Sequence, residues 1–185
     1  ISLPSSIPFA NAYLINYLQT FIIIIWANLP IEKYQTKELS DSIQIRPFKN
    51  IELLLGKIFG FIYTILVFGL SLNLIAIAIH LFISNSPFSL YPYLFYHVTL
   101  TLPTLIFTTG VTLFIKGIIK NKAISSIILL AFLYVEIVYG KNILHGSIDL
   151  FASSLPNTFS DITGFSGLNL YLQQRLSFFL WGIGF

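Results

Sequence analysis

The stretches Phe21-Ile22-Ile23-Ile24-Ile25-Trp26 and Ile127-Ile128-Leu129-Leu130-Ala131-Phe132 decide the architecture, because each is apolar on every side. A membrane β-strand alternates apolar and polar residues over about ten positions, whereas a helix surrounded by lipid is apolar all round. Backbone groups in hydrocarbon must also find partners within the crossing structure, so these runs are expected to be helices. Extending outward with charged residues as boundaries gives five apolar segments: Phe9–Ala27, Ile58–Ile83, Leu94–Ile115, Ala123–Tyr139 and Leu176–Phe185. The last stops well short of the roughly 20 residues a spanning helix needs, which predicts an incomplete span and a chain that is part of something longer. The expected fold is an all-α polytopic membrane bundle, one domain over residues 1–185, with at least five transmembrane segments.

Composition leads to the same solvent. Of 185 residues, 56% are hydrophobic, 16% aromatic and only 9% charged, too few charges to cover a compact body with polar surface. Such hydrophobicity excludes intrinsic disorder. The absence of cysteine excludes a disulfide scaffold and thiol or zinc-finger chemistry. The formal net charge of +3 is therefore a topological signal and carries no expectation of nucleic acid.

Eight of the ten basic residues fall in two connections. Lys33, Lys37, Arg46, Lys49 and Lys57 lie in the loop at 29–57, and Lys116, Lys120 and Lys122 lie between the third and fourth segments. The start of the chain and the short link Ser84–Tyr93 carry none. By the positive-inside rule the two basic loops face the cytoplasm, and the start and the loop at 140–175 lie outside. Trp26, Tyr34, Tyr91, Tyr93, Tyr96, Tyr139 and Trp181 fall near span ends, as an interfacial aromatic belt requires.

Motifs for covalent chemistry are mostly missing. There is no H-E-x-x-H, no G-x-S-x-G and no close pair of intramembrane aspartates. His80, His97 and His145 lack metal-ligand spacing. Gly56-Lys57-Ile58 lacks the first glycine and the hydroxyl residue of a phosphate loop.

The polar residues inside spans are few. Glu136 is the single acid in an apolar run and a candidate pathway residue by cost alone, although its closeness to Tyr139 and Lys141 also lets it reach an interface. Asn73 can bond across helices, and Pro103 removes a backbone donor and is expected to kink its helix. Gly56-x-x-x-Gly60 permits close helix approach. Asp149-Leu150-Phe151 and Ser160-Asp161, within the long external loop, are expected to form short helices or re-entrant turns, with Asp149 and Asp161 at an outer gate.

The loop at 29–57 carries the most information. From Gln35 to Ile45 it reads as a short helix with Leu39 and Ile43 on one face and Lys37, Glu38 and Asp41 in water. Arg46-Pro47 ends it, Asn50 caps the next helix, and Glu52 suits that helix's positive end.

Thr36-Lys37-Glu38-Leu39 followed by Arg46-Pro47-Phe48-Lys49-Asn50-Ile51-Glu52-Leu53-Leu54-Leu55-Gly56-Lys57 resembles the loop between the second and third spans of type-2 ATP-binding-cassette permeases. Leu155-Pro156, then Phe159-Ser160-Asp161-Ile162-Thr163-Gly164-Phe165 and Gln174-Arg175, look like the closing part of such permeases from the Bacteroidetes group. Where the family's loop begins with an acid-arginine-acid cluster, this chain has Glu32-Lys33-Tyr34. The resemblance implies a partial permease of the bacterial cytoplasmic membrane that moves cargo outward, with ATP and magnesium held by a separate cassette ATPase. It implies a second permease half as partner and no cofactor or catalytic residue in this chain. The 35–45 helix would be the coupling helix, docking through Leu39 and Ile43 with Lys37, Glu38 and Arg46 as polar rim, while Asn73, His97 and Glu136 would serve the pathway or helix contacts. Two other classes stay open: a non-catalytic membrane scaffold or assembly subunit, and an intramembrane enzyme, for which Glu136 with His97 is the only available pair.

Overall fold

The computed structural model describes residues 6–26, 50–83, 87–119, 121–140, 149–151, 159–160, 164–165 and 167–185. Helices dominate: α1 (Ser6–Trp26), α2 (Asn50–Ile83), α3 (Leu90–Tyr96), α4 (Leu102–Ile118), α5 (Lys122–Tyr139) and α6 (Leu168–Gly184). A two-residue antiparallel pair, β1 (Phe159–Ser160) with β2 (Gly164–Phe165), precedes α6. Ser160 is therefore in an extended ladder and not in a short helix, while Asp161 lies outside the described residues.

Among the described residues, four helices are long and apolar enough to cross a bilayer: Ser6–Trp26, Leu55–Ile83, Leu90–Ile118 and Lys122–Tyr139. That is the pattern of a multi-pass membrane protein. The fifth expected segment differs. Helix α6 begins at Leu168, eight residues before the expected start, and its 17 residues mix the apolar run with Gln173, Gln174 and Arg175. Among the described residues it is not one of the helices that meet the requirement for a span.

The element from Leu90 to Ile118 is the most buried of the four and contacts α1, α2, α5 and α6. Its course is not a plain α-helix. His97–Thr101 forms a π turn between α3 and α4, with the Leu102 N–H donating to the His97 carbonyl. Pro103 accounts for it. A proline inside a helix lacks the donor and crowds the carbonyl four residues earlier, and one widened turn just before it relieves that crowding. Threonine hydroxyls bond back to carbonyls along the same element, from Thr99 to Phe95, Thr104 to Leu100, Thr108 to Thr104 and Thr109 to Leu105. Such side-chain bonds meet backbone acceptors that a distorted helix leaves under-used in a dry interior.

The tightest helix contact is α4 with α6. A Cβ on Gly182 would lie 2.6 Å from the Phe107 nitrogen, and one on Gly110 would collide with the Gly182 carbonyl oxygen, so the two backbones meet where neither has a side chain. Gly56 and Gly60, the pair picked out by spacing, have nothing within 4 Å of an added Cβ among the described residues. Around the α4–α6 contact, Phe107 packs edge-on against Phe178 with ring centroids 4.9 Å apart, in one cluster with Ile24, Leu129, Leu133, Leu150 and Phe151.

Two expectations about aromatic residues need correction. Tyr91, Tyr139 and Trp181 are exposed, as belt residues should be, but Tyr93 and Tyr96 are fully buried. The helix starts at Leu90, so these two sit inside its first turns on the face turned to the bundle, where their size fills space between elements. Elsewhere α2 and α5 carry long exposed apolar side chains, including Phe59, Leu74, Phe82, Ile127 and Tyr134, as lipid-facing helices do.

Candidate functional site

Two buried polar assemblies occupy the centre of this apolar bundle. The first gathers charges. Arg175, on α6, is one of the largest fully buried side chains, and its guanidinium donates through Nη1 to the Leu150 carbonyl at 3.2 Å and through Nη2 to the Asp149 carbonyl at 2.5 Å. Leu150 is held from two further sides: its carbonyl accepts from the Thr104 hydroxyl at 3.0 Å, and its N–H donates to Glu136 Oε2 at 3.4 Å. Phe151 then stacks on Tyr17 of α1, rings 4.2 Å apart and 13° from parallel, and its N–H donates to the Asp149 carboxylate at 3.2 Å. The three-residue segment at 149–151 is thus a buried turn pinned by α1, α4, α5 and α6 together.

Electrostatics explains why the arginine belongs there. Asp149 and Glu136 are both buried and both within electrostatic reach of Arg175. Two carboxylates brought into an apolar interior demand a cation or hydrogen-bond donors, and Arg175 supplies both, with its flat face over Phe178 at 4.8 Å. Glu136 is buried against the protein. It sits on the inward face of α5 with Ser125, Leu129 and Leu133, the 3.6-residue stripe by which that helix contacts the bundle.

The second assembly is uncharged. Asn11 on α1 donates from Nδ2 to Asn73 Oδ1 at 2.8 Å, and Asn73 Nδ2 donates to the Tyr93 carbonyl at 3.4 Å. His80 Nδ1 meets the Tyr93 hydroxyl at 3.0 Å. Closer to the π turn, Gln19 uses its amide twice, donating to Asn16 Oδ1 at 2.7 Å and to the Thr101 carbonyl at 3.1 Å. His97 lies against Gly69, where an added Cβ would come within 3.3 Å of its Cε1.

No family model, curated protein or solved structure matches this chain.

Of the residues singled out by sequence, Asn73 and His97 fall in the uncharged assembly, and Glu136 and Asp149 in the charged one. Glu136 and His97, the pair available to an intramembrane enzyme, have different partners: Glu136 takes the Leu150 N–H, while His97 packs on Gly69. Lys37, Glu38, Leu39, Ile43, Arg46 and Asp161 lie outside the described residues. Among the described residues no group of three or more His, Asp or Glu side chains is placed to hold a metal ion.

Sequence reading missed Arg175, Thr104, Asn11, Asn16 and Gln19 as site residues. A signal for α1 existed, since Asn16, Gln19 and Thr20 are polar residues at i, i+3 and i+4 within a largely apolar helix, which places them on one side.

The Asn11–Asn73 bond fixes α1 to α2, but its energetic worth is small in a membrane, where both amides find other partners on separation. Asn73→Leu is expected to lower stability by only about 0.5–2 kcal/mol. A double-mutant cycle with Asn11→Leu, read by thermal unfolding in detergent, should return a coupling inside that range.

Proposed function

We propose that the chain is the membrane-embedded permease part of an ATP-driven type-2 ATP-binding-cassette exporter in a bacterial cytoplasmic membrane. Its partners are a cassette ATPase, which holds ATP and magnesium, and a second permease half. No covalent chemistry takes place in this chain. Four apolar helices of spanning length, and the likeness of the stretch from Thr36 to Lys57 to the permease loop, support the reading.

The observation that carries it mechanically is the length of α2. This helix runs for 34 residues without a break from Asn50 to Ile83, starting four residues after Arg46. A rod of that kind is about 50 Å long at 1.5 Å per residue. Force delivered to the Asn50 end of α2 by nucleotide-driven closure of an ATPase docked near Leu39 and Ile43 would reach Asn73 and His80 along an unbroken helix. The lock of Arg175, Glu136 and the 149–151 turn would then act as the outer gate, opening as the helices rock to give alternating access.

The test is co-purification from native membranes. The wild-type chain should bring down a protein with magnesium-dependent ATPase activity and a nucleotide-binding cassette. Leu39→Asp combined with Arg46→Glu should remove that ATPase while membrane insertion is retained. Wild-type chain that recovers no such ATPase, or a double variant that keeps it, overturns the assignment.

A further inference from the structure

Among the described residues, six buried side-chain atoms lack a hydrogen-bond partner, and four of them belong to α1 and the π turn that packs against it: Asn16 Nδ2, both ring nitrogens of His97 and Thr101 Oγ1. The three residues are linked through their neighbours. Asn16 and Thr101 are tied together through Gln19, Thr101 is four residues beyond His97 on the same element, and Gly69 faces both His97 and Ile15, the neighbour of Asn16. All three orphaned residues are more than nine-tenths buried. A buried donor or acceptor left alone is costly, so four on two packed elements are not retained for stability. Wide π turns concentrate at functional sites for a related reason, since they aim side chains where a regular helix does not.

We propose that this junction is a binding site for an uncharged hydrogen-bonding group, an amide or a hydroxyl carried by a small solute. The orphaned atoms set the class. Asn16 Nδ2 offers an N–H, the neutral His97 ring offers one donor and one acceptor, and Thr101 offers a hydroxyl that does either. An amide matches this set, with its carbonyl accepting from Asn16 and its N–H donating to the unprotonated nitrogen of His97. An anion has no N–H for that nitrogen, a cation has no acceptor for Asn16, and no ionised residue belongs to the hydrogen-bonded set at the junction. Desolvating either kind of ion there would go uncompensated. The inference rests on the orphaned groups and holds whether or not an ATPase is the partner.

The chain has no cysteine, so single-cysteine variants of the intact protein report one position each. Thr101→Cys is treated with iodoacetamide, a neutral amide, and with iodoacetate, its anionic near-isostere, each rate normalised to that of a free thiol. Leu105→Cys, one turn further along and equally buried but in an apolar cluster, is the reference. Thr101→Cys should react with iodoacetamide about tenfold faster than Leu105→Cys, and about tenfold faster than it reacts with iodoacetate. Asn16→Cys should show the same preference, which keeps the test decisive if Thr101→Cys does not fold. Rates at both positions equal to that of Leu105→Cys would show that the junction admits no amide. Equal entry of the two reagents would show an unselective aqueous opening. Either result overturns the proposal.

Discussion

Arg175→Met is expected to cost about 3–5 kcal/mol and to lower the unfolding midpoint by on the order of 10 °C. Methionine keeps an unbranched apolar stem in place, so the packing beside Phe178 is largely preserved and the loss isolates the guanidinium. What the loss leaves behind determines its size. The Asp149 carbonyl loses its Arg175 donor, Leu150 keeps only the Thr104 hydroxyl on its carbonyl, and Glu136 and Asp149 remain buried without the cation that faces them. Breaking one side of a buried charge set is far more damaging than replacing the whole set by apolar residues, because the survivors cannot return to water. Two companions sharpen the measurement. Arg175→Lys should recover only part of the loss, since an ammonium restores the charge but cannot reach two carbonyls as a planar fork does. Glu136→Gln added to Arg175→Met should recover part of it too, by removing one uncompensated carboxylate while keeping an acceptor for the Leu150 N–H. Thermal unfolding in detergent distinguishes these cases, and a double variant no more stable than Arg175→Met would show that the carboxylate and guanidinium are not coupled.

How far the bundle can be read from residues alone depends on the range of each interaction. The four spans were legible because their signal is local: an apolar run bounded by charges is visible within 20 residues, and Phe9–Ala27 and Ala123–Tyr139 differ from the observed α1 and α5 only by a few end residues. Lys122 heads α5 because Asn121 caps it, its Oδ1 accepting from the Ala123 N–H at 3.0 Å and the Ile124 N–H at 3.4 Å, side-chain bonds that hydropathy does not weigh. Arg175 reads as a loop charge for the opposite reason. Its partners lie 25 and 26 residues earlier in the chain, and nothing at positions 173 to 176 announces a buried acid elsewhere. The same holds for the close helix contact. Gly56 and Gly60 advertise themselves by their spacing, but Gly110 and Gly182 are 72 positions apart and become a pair only when α4 and α6 cross.

That crossing carries the second large effect. Gly182→Ala is expected to destabilise by about 1–3 kcal/mol, and Gly182→Leu to prevent α6 from docking. The added Cβ would stand 2.6 Å from the Phe107 nitrogen, 2.7 Å from its Cα and 2.8 Å from the Ile106 carbonyl carbon, all main-chain atoms. No rotamer change relieves such a clash, so the helices must separate, and separation weakens every contact that depends on their distance, including the packing of Phe107 on Phe178. The consequence extends to the charged lock, since Arg175 rides on α6 about two turns before Gly182 while Thr104 is carried on α4. If α6 is displaced, Arg175 and Thr104 no longer grip Leu150 from both sides. Gly60→Ala supplies the control, because its added methyl meets no atom within 4 Å and removes an unfavourable glycine from a helix, a gain of about 0.5–1 kcal/mol. Opposite signs at these two glycines, measured by thermal unfolding in one detergent, are the expected result. A loss at Gly60 as large as that at Gly182 would mean that α2 has its own close partner, and that the crossing of α4 with α6 is not where the bundle is held tightest.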